Sequence, residues 1–121
     1  MWQILLLTII ISFLDSIYLF FNKGLYANIL PESSVINILY AYLAWFSIAL
    51  AIYFLIISRP DFSLITALKT APFLGFAIYC SFNATNMILF KDIWSLKISA
   101  IDTLWGCSLI TFATAIISFI K

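Results

Sequence analysis

Histidine is absent from this 121-residue chain, cysteine occurs twice, and glycine and proline occur three times each. Without imidazole, and with Cys80 and Cys107 standing alone, the usual zinc and haem ligand sets cannot be assembled. Neither a metal nor a cofactor is expected, and acid–base chemistry would fall to carboxylates, amines or amides. Charge is scarce as well: Asp, Glu, Lys and Arg make up 9% of the residues, against roughly 25% in a soluble domain. Six basic and five acidic side chains leave a net charge of +1, with no basic cluster that could track a nucleic acid, so nucleic-acid binding is excluded. A cleaved signal peptide is not expected either, because the first apolar run lacks a basic leader, contains Asp15 and is not followed by a small-residue cleavage site.

What the chain has in abundance is hydrocarbon. Hydrophobic residues make up 65% of it and the mean hydropathy is +1.17, which fits the bilayer as solvent and not water. A spanning helix takes about 20 residues at 1.5 Å rise each. The apolar runs predict an all-α, multi-pass integral membrane domain: four transmembrane helices over about 2–21, 35–57, 62–90 and 95–120, in an up-down bundle.

The links are short. Asn22-Lys23-Gly24 suits a helix C-terminus, and Leu25 to Ser34 is expected to lie along the membrane surface. Ser58-Arg59-Pro60-Asp61 reads as a turn with Asp61 as N-cap, Lys91-Asp92 as the next turn, and Lys121 as a terminal anchor. Both termini and the second link share one face of the membrane, side A; the first and third links share side B. Arg59, Lys69, Lys121 and the amino terminus on side A balance Lys23, Lys91 and Lys97 on side B, so the positive-inside rule sets no orientation. A bacterial inner, organellar or viral membrane all fit the composition.

Polar groups inside the spans fall in one membrane half. Asp15, Asn83, Asn86 and Asp102 come out roughly 6 to 11 Å below side B. Helical spacing puts Ser12, Asp15 and Ser16 on one face, Tyr79, Asn83 and Asn86 on another, and Ser99, Asp102 and Gly106 on a third. A carboxylate facing lipid costs roughly 2.5 to 3.5 kcal/mol on insertion scales, so these faces should point inward. The cluster of Asp15, Tyr79, Asn83, Asn86 and Asp102 is therefore the candidate binding site, with interhelical glue as the alternative role for the same residues. No catalytic residue is assigned. Lys69 is expected to snorkel to side A, the cysteines to remain free, Trp94 to sit at the side-B interface, and Trp45 and Trp105 to pack near mid-membrane. Gly106, among small residues, should let the fourth helix approach a neighbour closely.

Between Tyr79 and Leu109 the chain reads YCSFNATNMILFKDIWSLKISAIDTLWGCSL. This resembles the predicted-membrane-protein family catalogued as domain of unknown function 2177, whose pattern is approximately Y-x-x-Y-D-x-T-N-x-x-x-L-K-x-W-P followed by D-x-x-W-G. Tyr79, Thr85, Asn86, Lys91, Trp94, Asp102, Trp105 and Gly106 match it, and the FLDSIYL around Asp15 is similar to the family's first-helix segment. Two positions depart: Asn83 stands where the family has Asp, and Ser95 where it has Pro, with one extra residue in the turn. The resemblance implies a four-span membrane protein and no particular activity.

The first functional expectation is a nonenzymatic structural or assembly subunit of a larger membrane complex, with lipids and other transmembrane helices, in a homo-oligomer or larger assembly, as partners. The alternative is a small proton- or solute-linked transporter that uses the buried Asp/Asn cluster. An intramembrane enzyme ranks last, since Asn83 removes an acid from the signature.

Overall fold

The computed structural model describes residues 1–27, 29 and 35–120. Its helices are α1 (Trp2–Phe21), α2 (Val35–Ile52), α3 (Leu64–Leu89) and α4 (Leu96–Ile120), with a π-helical turn, Tyr53–Ile57, continuing α2. All four units are long and apolar enough to cross a membrane. Helix is the form such a sequence must take in lipid, where every backbone N–H and C=O has to be bonded within the segment. Hydroxyls follow the same rule: those of Thr8, Ser47, Thr70, Thr85, Ser108 and Thr111 each donate to the carbonyl one turn earlier in their own helix.

Local chemistry sets the helix ends. Asn22 closes α1 by donating from both its backbone and side-chain nitrogens to the Tyr18 carbonyl. At α3 the cap is not Asp61, as the sequence suggests, but Ser63: its hydroxyl accepts from the Thr66 N–H while the Thr66 hydroxyl accepts from the Ser63 N–H at 2.7 Å. That reciprocal box satisfies two free donors and starts the helix two residues later than expected, leaving Asp61 to an exposed 3.2 Å pair with Arg59. Pro72 stands inside α3, and Lys69 is exposed. Lys121 and the Pro31-Glu32-Ser33-Ser34 turn lie outside the described residues.

The helices pack as two pairs, α1 with α2 and α3 with α4, joined by α1 against α4. Toward side A the core is hydrocarbon, with Leu7, Ile11, Ile52, Leu109, Ile110 and Ile117 all buried. The α3–α4 pair is the closest, because glycine faces it from both sides. A Cβ on Gly75 would stand 2.7 Å from the Cys107 Cα, and one on Gly106 would run into the ring of Tyr79. By contrast, α2 meets α3 mainly through the π-helical turn near side A. In the other half of the membrane the two helices diverge, and this divergence shapes the site.

A second cluster closes the side-B end. Tyr18, Tyr26, Trp94 and Ile98 are buried together with Leu25 and Ile29 against them. The first link therefore tucks inward at Leu25, Tyr26 and Ile29 and does not lie flat on the surface there: Tyr26 is only 3% exposed. A phenol offers an apolar ring for burial and a hydroxyl for a partner below, and that partner is Asp102.

Candidate functional site

Three of the expected residues, Asp15, Asn83 and Asp102, are held by hydrogen bonds, each from a different helix. Asp15 projects from α1 and accepts two indole N–H bonds, Trp45 of α2 to Oδ2 and Trp105 of α4 to Oδ1, each 2.9 Å. Asp102 projects from α4 and accepts from Asn83 Nδ2 of α3 at 2.7 Å and from the Tyr26 hydroxyl at 2.9 Å. Asn83 is 1% exposed, and both ends of its amide are used: Oδ1 accepts from the Trp94 indole at 2.9 Å, while Nδ2 also donates to the Tyr79 carbonyl.

Tyr26 gives its one hydroxyl proton to Asp102, so the 2.7 Å bond between Tyr18 and Tyr26 has Tyr18 as donor. Burial, then the bond with Tyr18 and the nearby charge of Asp102, push the Tyr26 hydroxyl well above the usual tyrosine range. It stays protonated, and hence a donor, at any physiological pH. The Tyr18 ring stacks on Trp105 with centroids 4.6 Å apart and planes within 4°. A continuous path of contacts thus runs Trp94, Asn83, Asp102, Tyr26, Tyr18, Trp105, Asp15, Trp45.

Two expected members stand apart from this path. Among the described residues Asn86 makes no side-chain hydrogen bond to it, and Tyr79 joins it through its carbonyl while its ring covers Gly106. Ser16 is exposed to the lipid side. Ser99 is buried, and its Oγ is the one buried side-chain oxygen or nitrogen among the described residues without a hydrogen bond. Trp94 also departs from expectation: it is 8% exposed and serves as a donor inside the bundle, not as an interface anchor. Trp45 and Trp105 pack as expected, and in addition they bind Asp15. Cys80 and Cys107 are free.

Among the described residues, every donor on the two carboxylates is neutral. Among the described residues the one ion pair is Arg59 with Asp61, at the side-A surface, so no basic side chain balances Asp15 or Asp102. Both acids line a single cavity of about 390 Å³, between α2 and α3, walled by Trp45, Ile48, Tyr79 and Phe82. Two further hollows, along α3–α4 and α1–α4, are lined without an acidic or basic side chain. A concave, largely apolar site with a few convergent polar groups is the usual form of a small-molecule site. Among the described residues no group of three or more His, Cys, Asp or Glu could hold a metal ion.

A family model described as "Predicted membrane protein (DUF2177)" matches residues 1–120. No curated protein and no solved structure matches the chain.

Proposed function

The chain belongs to the DUF2177 family of predicted membrane proteins, and on that premise we propose that it is a small intramembrane carrier whose solute is a cation, held by Asp15 and Asp102. The observation that carries this reading is the placing of two carboxylates on one cavity with only neutral donors around them. Buried charge is costly unless paired. A cationic solute, or a bound proton, supplies the missing partner.

The two acids are not equivalent. Where the family signature has Asp, Asn83 locks Asp102 with a permanent N–H donor; a carboxyl there would need to carry a proton to make the same bond. Asp15 is gripped only by indoles that leave it facing the cavity. Asp15 is thus the mobile-charge site and Asp102 the fixed one.

The test is charge displacement on a supported membrane of proteoliposomes, on mixing with guanidinium or methylammonium chloride. The reading predicts a transient current in the native protein and none in Asp15→Asn. Currents absent with both cations, or unchanged in Asp15→Asn, would overturn it.

A second reading, a nonenzymatic structural or assembly subunit, is supported by the same bonds acting as glue: Asn83, Asp102 and Tyr26 tie α3, α4 and the first link together. It predicts a defined larger assembly on gentle detergent extraction. Among the lipid-facing hydroxyls, those of Ser47, Thr70, Thr85 and Ser108 are satisfied within their own helices, whereas Ser16 and Ser81 make no side-chain hydrogen bond among the described residues.

A further inference from the structure

The cavity has a position as well as a charge. Along α2 its lining runs from Ala44 to Ile48 and along α3 from Ile78 to Phe82. Counting from the side-B ends of these helices at 1.5 Å per residue, the lining lies roughly 10 to 20 Å below that surface. The hydrocarbon layer is about 30 Å thick. The gap between α2 and α3 therefore opens onto acyl chains, not onto headgroups or water, and Ala44, Ser47 and Phe82 at its edge are exposed.

Size narrows the occupant further. A water molecule takes about 30 Å³, so a cavity of about 390 Å³ is far larger than a proton or hydronium requires. It matches the lower part of the range for organic ligands, roughly 300 to 1,000 Å³. The aromatic side chains of Trp45, Tyr79 and Phe82 line the cavity beside two carboxylates, a composition suited to an ammonium group, while Leu19, Ile48 and Ile78 offer only apolar contact.

We infer that the site takes an amphiphilic amine from within the bilayer: the ammonium group rests against Asp15 and Asp102, and the alkyl tail leaves through the α2–α3 gap into the surrounding lipid. This rests on the carrier reading and adds to it a ligand class and a route. The tail need not fit inside the cavity, because the open side continues into hydrocarbon.

The experiment is binding of a series of n-alkylammonium chlorides, methyl to decyl, to the full chain in lipid nanodiscs, read by fluorescence of Trp45 and Trp105, which both touch Asp15. Three proteins are compared: native, Asp15→Asn, and Ala44→Phe, which narrows the gap without touching either acid. The expected result is affinity that rises about four-fold per methylene, the equivalent of about 0.8 kcal/mol, and goes on rising past the length that fills the cavity. Ala44→Phe should weaken decylammonium at least ten-fold more than it weakens methylammonium. If short ammonium ions bind in an Asp15-dependent way but affinity stops rising or falls with length, and Ala44→Phe changes nothing, the bilayer route is overturned while the carrier reading stands. If no ammonium of any length binds, both are overturned.

Discussion

Tyr26, in the link after α1, donates a 2.9 Å hydrogen bond to Asp102 in α4, across 76 positions of sequence. The bond fastens the first half of the chain to the second at the side-B end, and it leaves one oxygen of Asp102 for Asn83. Tyr26→Phe keeps the buried ring and deletes this bond. In membranes such a bond is worth about 0.6 kcal/mol on average and up to about 1.7. A loss within that range is expected in a reversible unfolding titration in mixed micelles.

The same tyrosine predicts a pH dependence. Its hydroxyl is raised above the ordinary value, first by burial, so its contribution to stability is fully present below about pH 10, the unfolded value. That contribution is lost progressively as pH rises further. Unfolding midpoints of the native chain followed from pH 6 to 11 should be insensitive to this group through neutrality and fall on the alkaline limb, with a shallower fall in Tyr26→Phe.

Asn83→Ala removes the acceptor of the Trp94 indole and a donor to Asp102 together. With one interhelical bond and one bond to the α3–α4 link gone, stability should drop by about 1 to 3 kcal/mol. Gln should not restore it, because the longer amide cannot hold both partners in a site 1% exposed.

The glycine contact separates two kinds of crowding. Gly75→Ala drives a Cβ to 2.7 Å from the Cys107 Cα, backbone that cannot turn aside. Gly106→Ala meets the Tyr79 ring, which can be trimmed. Both should cost about 1 to 3 kcal/mol, but only the second should be relieved by adding Tyr79→Ala, measured as recovery of the unfolding midpoint.

The four spans were legible because their apolar runs are long and their breaks carry Gly, Pro and charge. The depth of Asp15, Asn83 and Asp102 followed from helix rise alone. Their partners did not. Tyr26 lies in a link, where no periodicity reports direction, and a mid-membrane tryptophan looks the same whether its N–H is used or not. Asn86 shared an approximate face with Asn83, yet three residues along a helix is a turn of about 300°, and its half-buried side chain makes no hydrogen bond to the path among the described residues. The Ser63 cap was hidden by Asp61, an equally good capping residue two positions earlier.

The most direct test of the central claim, that Asp15 faces a cavity able to hold a cation, is carboxyl labelling in intact membranes. A lipid-soluble carbodiimide is applied with and without methylammonium, and the modified residues are mapped by mass spectrometry. The account predicts modification of Asp15 that added methylammonium suppresses. An unmodified Asp15, or modification indifferent to the ammonium ion, would contradict it.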